Sequence, residues 1–388
     1  MEDARGNVAQ RLLAELSGAP HGSTRAPGRV NVLGEHTDYN GGLVLPAALT
    51  RQTGVAVRLT GSSQVRGLSR EEGPARAELG APPDGQWLDY VRGVARELAV
   101  LGRSPVRGFD VAVAGDVPAG SGLSSSAALS VATALALAAA VERPFGSDEG
   151  IEVARICQRA EADFVGVPCG ILDPFAALMS RPGSMLLLDC ARMEWDPVDL
   201  PPDLLLLIVD TGVKRELRAG AYAERRGECE LALELSTRAL GRELESLSSI
   251  AEEDLLVLAT ELASPLHRRA RHVVTENARV RRFAAALHSR DLGEAGRELF
   301  SSHESLRDDF EVTCAESDHL VEASRGVEGI LGARMTGAGF GGCTVHLVRA
   351  ERADEAQTHL QSSFERRFAR SPRAWTTRPG RGAEVGEA

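Results

Sequence analysis

Two short segments of this 388-residue chain concentrate side chains able to bind and move charge. The first reads Asp116-Val117-Pro118-Ala119-Gly120-Ser121-Gly122-Leu123-Ser124-Ser125-Ser126, between a stretch patterned as a strand (106–114) and an Ala-rich stretch patterned as a helix. Gly120 and Gly122 let backbone N–H groups come close to a ligand. A helix N-terminus adds unpaired donors and the positive end of a dipole. The three consecutive serines supply hydroxyls to phosphate oxygens or to a metal ion. The loop is therefore a cradle for an anion that needs no lysine. An N-capping turn of small residues is the plainer alternative, and the strand–loop–helix setting weighs against it.

The second segment reads Gly28-Arg29-Val30-Asn31-Val32-Leu33-Gly34-Glu35-His36-Thr37-Asp38-Tyr39. Glu35, His36 and Asp38 could ligate a metal, but their spacing matches no standard zinc pattern. So many donors and acceptors also suit a polyol, whose hydroxyls need both. A polar turn is the remaining alternative. Two further carboxylates stand apart. Glu161 falls in a helical stretch over 151–165, and Asp173 follows a loop at 166–170. Asp173-Pro174 has the form of an N-cap followed by proline at the first helical position. A capping role would explain Asp173 alone, and a solvated helix face would explain Glu161 alone.

Other features exclude functions. Gly337, Gly339 and Gly342 fit a dinucleotide-binding glycine pattern, but that site requires a helix next. Cys343-Thr344-Val345-His346-Leu347-Val348 follows and reads as a strand. A turn that brings backbone close to a phosphate or to the first loop fits better. Lys214 is the only lysine, in the context DTGVKRE, so neither a P-loop nor a protein-kinase lysine exists here. The net charge of −11 argues against nucleic acid as a partner. The N-terminus shows no basic and apolar signal regions. The longest apolar stretch, 127–141, is short for a bilayer and carries Ser130 and Thr133, so it reads as a buried helix. Six cysteines without CxxC pairing suit reduced thiols and a cytoplasmic setting.

The elements that must position these groups follow from periodicity. Hydrophobic residues make up 43% of the chain, ordinary for a globular protein, and ~150 residues per domain gives two lobes. Residues 25–33 and 43–60 read as strands and 64–80 as a hairpin. Helical spacing covers 87–102, and Ser147 and Asp148 can cap the helix that carries Glu161. Residues 184–189 and 204–209 read as strands, and 214–310 is helical in texture, with Arg/Glu pairs four apart. A helix near 316–325, strands at 332–336 and 344–348 and a helix over 352–369 complete the pattern. The tail from Pro379 is expected to fray. Strands and helices mix without regular βαβ alternation, which gives α+β.

These segments together resemble the galactokinases of the GHMP small-molecule kinase superfamily. APGRVNVLGEHTDYNGG is similar to the galactokinase signature, DVPAGSGLSSSAAL to the superfamily ATP loop and TGAGFGGCTVHLV to its C-terminal motif. A weaker likeness lies at 379–383. The resemblance implies a two-lobed GHMP fold. The N-terminal lobe would be like ribosomal protein S5 domain 2 and the C-terminal lobe ferredoxin-like, divided near residue 200 into 1–200 and 201–388. It implies Asp173 as catalytic base and Arg29 as the residue that stabilises the transferring phosphoryl group. Glu35, His36, Thr37, Asp38, Gly170 and Tyr222 fall at sugar-contact positions. Ser126 and Glu161 match Mg²⁺ ligands, and the residues from Gly120 through Ser121, Gly122, Leu123, Ser124 and Ser125 to Ser126 match the triphosphate loop. Trp87 and Tyr90 resemble aromatics that line the nucleotide base pocket. Pro174 stands where the family usually has glutamine, which removes a hydrogen-bonding side chain beside the base.

The implied activity is transfer of the γ-phosphate of ATP to the C1 hydroxyl of galactose, by a monomer with no membrane or nucleic-acid partner. A kinase for N-acetylgalactosamine or arabinose is the near rival, and the EHTDYNGG loop favours galactose. A non-catalytic sensor of galactose and ATP would be marked by loss of the base or of part of the serine loop, and both are intact.

Overall fold

The computed structural model describes residues 6–385, apart from positions 106, 119, 168 and 214–218. Lys214 therefore lies outside the described residues. Helix α1 (Gly6–Leu16) precedes strands β1 (Gly22–Asn31), β2 (Leu43–Val44), β3 (Pro46–Leu59), β4 (Gln64–Ser69) and β5 (Gly73–Glu78). Next come α2 (Leu88–Val100), β6 (Phe109–Gly115), α3 (Ser125–Ala140), α4 (Gly150–Arg159) and α5 (Leu172–Met179). Strands β7 (Ser184–Asp189), β8 (Glu194–Asp199) and β9 (Leu204–Asp210) follow, then α6 (Ala219–Leu240), α7 (Leu255–Glu261), α8 (Leu266–Ser289), α9 (Leu292–Asp308) and α10 (Ala315–Ser324). The chain ends in β10 (Ile330–Thr336), β11 (Cys343–Arg349), α11 (Ala353–Phe368), β12 (Arg373–Thr377) and β13 (Glu384–Val385).

The strands form a six-stranded sheet in the order β13-β1-β3-β6-β4-β5, a four-stranded sheet β10-β11-β9-β12 and a small sheet β2-β7-β8. Among the described residues only the β4–β6 pair is parallel. The expected α+β mixture is what the chain adopts. The Ala-rich stretch is α3, buried along nearly its whole length against β1 and β3. Small side chains let it lie close to the sheet, where a bulkier helix would be held off. No helix among the described residues is long and apolar enough to cross a membrane. All six cysteines are free.

One core joins the two halves. Val30, Leu45 and Leu123 pack with Leu206, Phe283 and Val345. The N-terminal loops are thereby fixed against the second sheet and α8.

Three local expectations are corrected, and two strands lie where the sequence pattern showed none. Through Val385 the tail is not frayed: Gly380 N–H donates to the Ala48 carbonyl (2.8 Å), Gly382 N–H to Ser180 (2.9 Å) and Ala383 N–H to Ala177 (2.7 Å), and β13 pairs with β1. Its glycines permit this close backbone docking, which composition alone reads as looseness. Ser147 and Asp148 do not cap the next helix. That helix starts at Gly150 with Glu149 at its N-cap position, and the Glu149 carboxylate accepts from Gly146 N–H and Arg103. Strands β8 and β12 carry too few apolar residues to show in the pattern, yet pair with β7 and β9. Finally, α5 opens at Leu172 with Ile171 at its N-cap position, so Asp173 is inside the first turn and Pro174 is its third residue.

Candidate active site

A cavity of about 630 Å³ opens where the serine loop, the 34–39 loop, the start of α5 and the β10–β11 turn converge. Arg29 lies near the end of β1, beside a break in the β1–β3 register. Its Nε donates to Asp173 Oδ1 at 2.7 Å, its Nη2 lies 2.5 Å from the same oxygen, and its Nη1 donates to the Gly122 carbonyl at 2.6 Å. Arg29 N–H donates to the Leu123 carbonyl at 3.0 Å. Strand and serine loop are thus tied through backbone and side chain together. The second oxygen of Asp173 accepts from Ser124 Oγ. Both carboxylate oxygens are therefore gripped, while the side chain keeps 28% of its surface exposed. The first turn of α5 adds unpaired N–H groups and a dipole end that favour the anion.

The serine loop opens α3, with Ser124 in the left-handed region at φ 58°. Gly120, Gly122, Ser124, Ser125 and Ser126 line the cavity. Ser121 and Leu123 do not. Ser121 Oγ donates to the Pro118 carbonyl (2.8 Å), and the Leu123 side chain is fully buried in the core, so these two shape the loop from behind.

Glu161 projects from a π-helical turn, Ala160–Val165, that continues α4. Such turns shift side chains out of the regular helical register and recur at functional sites. Burial, and then the Asp173 charge, push its carboxyl up to about 7, against a hydrogen bond from Ser126 and the Arg29 charge. Ser126 and Glu161 are hard oxygen donors side by side at the edge of the serine loop. Among the described residues there is no group of three or more His, Cys, Asp or Glu fit to hold a metal by itself. Two protein oxygens suit Mg²⁺, which keeps several waters and takes its remaining ligands from substrate phosphates.

The opposite side of the cavity is built on the 34–43 loop. His36 stands at φ 61°, its Nδ1 is 2.9 Å from the Tyr39 hydroxyl, and its ring lies 4.6 Å from Phe310 and 5.7 Å from Tyr222. Glu35 Oε1 accepts from Gly337 N–H at 2.6 Å and from Thr336 Oγ1 at 3.2 Å. The glycine-rich turn therefore closes on this loop, and β11 follows it directly, as the strand pattern required. Asp38 sits in the cavity, its carboxyl pushed up to about 7 by burial and then by Asp173. A Cβ on Gly170 would stand 1.6 Å from Asp38 Oδ2, so only glycine at 170 leaves room for that carboxylate. Burial likewise raises the Tyr222 hydroxyl.

Glu35, His36, Asp38, Gly170, Tyr222, Arg29, Asp173 and Glu161 all line this one cavity. Thr37 faces away: its Oγ1 donates to the Gly34 carbonyl (2.9 Å) and the Leu43 carbonyl (2.7 Å) and holds the loop shut. Tyr90 lines the cavity, its hydroxyl pushed up to about 12 by burial and then by Glu161. Trp87 does not line it. Its indole packs beside Gly67 on the core between the six-stranded sheet and helices α2 and α3. Cys169 and Phe340 line the cavity without having been singled out, and neither carries a chemical pattern that would mark it.

Family models match three stretches of the chain: GHMP kinases N terminal domain over residues 89–181, the galactokinase galactose-binding signature over 14–59 and GHMP kinases C terminal over 283–366. The chain is 42% identical to a galactokinase of Homo sapiens, covering 92% of this chain and 91% of that one. It is 38% identical to a galactokinase of Roseiflexus sp., covering 97% and 96%. The structure of Lactococcus lactis galactokinase complexed with galactose superposes with a TM-score of 0.90 at 31% identity, over 97% of this chain and 98% of that one. Methanococcus jannaschii mevalonate kinase shares the fold, with a TM-score of 0.67 at 18% identity over 94% and 100%.

Proposed function

The chain belongs to the galactokinase family of the GHMP kinases, and on that premise we propose how its cavity moves the γ-phosphoryl group of ATP to the C1 hydroxyl of galactose. Asp173 is the base. What supports this is its double anchorage by Arg29 and Ser124 at the junction of the anion cradle and the polyol loop. Phosphoryl transfer needs positioning and charge neutralisation more than covalent help. The hydroxyl proton passes to Asp173 as the sugar oxygen bonds to the γ-phosphorus and the bond from that phosphorus to the bridging oxygen breaks, releasing ADP. An anomeric hydroxyl is more acidic than an ordinary alcohol, so a carboxylate suffices.

Arg29 faces the charge that spreads over the γ-phosphate oxygens. The N–H groups of the 120–126 loop and the first turn of α3 receive the phosphates. Ser126 and Glu161 would hold Mg²⁺, which supplies neutralisation of the β- and γ-phosphate charge when bound. Glu35, His36, Asp38, Gly170 and Tyr222 contact the sugar, and Tyr90 borders the nucleotide. We assign lobes 1–200 and 201–388 to the two sides of the cleft, with the 379–385 strap returning to the first. The reading includes a cytoplasmic monomer, without nucleic-acid or membrane partners.

Asp173→Asn tests the base. The amide keeps shape and hydrogen bonding but accepts no proton. Turnover is expected to fall at least ~100-fold with galactose binding kept. Near-native turnover of the folded variant overturns the assignment.

A further inference from the structure

A short 3-10 turn, Asp38–Asn40, and the Thr37 bonds to the Gly34 and Leu43 carbonyls close the 34–43 loop on itself, and its place against the rest of the chain is set from outside. One face of α8 supplies that support. His272 and Glu276 stand one turn apart on this face, and Asn277, next to Glu276, reaches the loop from its edge. His272 Nε2 donates to the Glu35 carbonyl (3.0 Å), Glu276 Oε1 accepts from Gly34 N–H (3.0 Å), and Asn277 Oδ1 accepts from Leu43 N–H (2.8 Å). These bonds fix the first two residues of the loop and its last. A Cβ on Gly42 would lie 2.5 Å from Asn277 Oδ1, so the loop rests directly on that side chain.

The three side chains are buried, and none lines the cavity. Their own positions are fixed in turn. Glu276 accepts from Ser302 Oγ (2.6 Å) and Arg279 Nη1 (2.7 Å), and the fully buried Arg334 lies 3.9 Å from it and 3.7 Å from Glu35. Burial alone would push the Glu276 carboxyl up. Arg279, Arg334, His272 and the Ser302 bond outweigh it and hold the group at about 2. His272 is pushed down to about 4 by burial, which keeps it neutral, and its Nδ1 lies 2.9 Å from Ser305 Oγ. An ionised acceptor and a neutral donor thus meet the loop with unchanging roles.

We propose that His272, Glu276 and Asn277 are positioning residues that set the shape of the 34–43 loop and, through it, which sugar hydroxyls the site accepts. This rests on the reading of that loop as the sugar side. The loop carries Glu35, His36 and Asp38 into the cavity, whereas the anion cradle is built on β1, α3 and α5. A displacement of the loop therefore reaches the sugar and leaves ATP in place. Misplacement by ~1 Å can cost ~100-fold in rate, and a site that pairs polar groups with particular hydroxyls loses discrimination when those groups move.

The test compares Asn277→Ala, His272→Leu and His272→Gln with the native chain. Galactose KM, ATP KM, kcat, the galactose-to-glucose ratio of kcat/KM and Tm are measured for each. Arg282→Ala is the control, since it breaks the Arg282–Glu298 ion pair (2.6 Å) between α8 and α9 without touching the loop. Asn277→Ala and His272→Leu are expected to raise galactose KM about tenfold and lower the hexose ratio about tenfold, with ATP KM within about twofold. His272→Gln keeps a donor and is expected to restore most of both. It also carries the measurement should His272→Leu not fold. Arg282→Ala is expected to move Tm alone. Parallel changes in both KM values, or a loss of Tm with the hexose ratio unchanged, overturn the proposal. Asp38→Ala separates the two readings. If it too leaves galactose KM unchanged, the loop is not the sugar side. If it raises that KM while the α8 variants do not, only the positioning proposal fails.

Discussion

The two walls of the cavity, which we assign to phosphate and to sugar, are built by different means. On the phosphate wall, the serine loop, the first turn of α3 and the start of α5 supply their own donors, and Arg29 and Asp173 tie them together. On the sugar wall, a loop that Thr37 closes on itself is also held from behind by α8 and from the side by the β10–β11 turn. A phosphate is a concentrated charge that backbone N–H groups and a helix end can receive whatever lies behind them. A hexose presents hydroxyls that differ only in direction, so recognition demands fixed side chains, and fixing them takes a larger part of the chain.

The sharpest way to break this comparison is on the phosphate wall. Ser126→Ala and Glu161→Ala are each expected to lower kcat/KM by roughly 100-fold, and the double variant to cost little more than the worse single one, because both act on one ion. Rates across a magnesium titration check it. If the losses multiply and the magnesium dependence stays native, these residues do not share an ion.

The sugar wall carries a cost that pH can expose. Asp38 in the folded chain titrates near 7 because of burial, Asp173 and Glu35, against an ordinary value of 3.8. Between those values the folded protein keeps a proton that the unfolded chain releases. The contribution of this group therefore becomes steadily more destabilising as pH rises from about 4 to about 7, and is complete above that. Asp38→Asn removes the ionisation. Its Tm without ligands is expected to match the native chain at pH 4 and to exceed it at pH 8 by roughly 2–5 °C. A difference that does not grow with pH would mean that Asp38 is solvated and the sugar wall is unstrained.

The same contrast sets what the sequence makes legible. The serine loop of the phosphate wall is contiguous, so glycines, serines and their place between strand and helix point to it directly, whereas Arg29, Glu161 and Asp173 join it from elsewhere in the chain. The sugar loop is visible as a motif, but its supports are not. His272, Glu276 and Asn277 sit in a stretch patterned only as helix, and a buried polar residue looks like a surface one until its partners are known. The 379–385 strap misleads for a related reason: glycines that allow backbone to dock against backbone have the composition of a free end. Thr37 and Trp87 stand at expected positions yet turn toward the loop and the core. Motif spacing fixes where a Cα lies along the chain, and packing decides where its side chain points.

The smallest expected effect lies where the two walls meet. Pro174 follows the base at the position where the resemblance calls for glutamine. As the third residue of α5 it lies within the first turn, where a backbone N–H has no helical partner, so proline costs the helix nothing there. Its ring is buried. Asp173 already has both oxygens engaged by Arg29 and Ser124, so an added amide is not needed to aim the carboxylate. Pro174→Gln is therefore expected to leave kcat within about tenfold of native and the preferred hexose unchanged. The glutamine amide, placed in a buried setting, costs about 1–3 kcal/mol if it finds no partner, which would appear as a lower Tm. Steady-state rates with galactose and glucose, read beside a thermal unfolding curve, separate these outcomes. A collapse of kcat without loss of Tm, or a switch of hexose, would mean that the proline helps to aim the base at the sugar. The phosphate wall would then depend on the sugar wall after all.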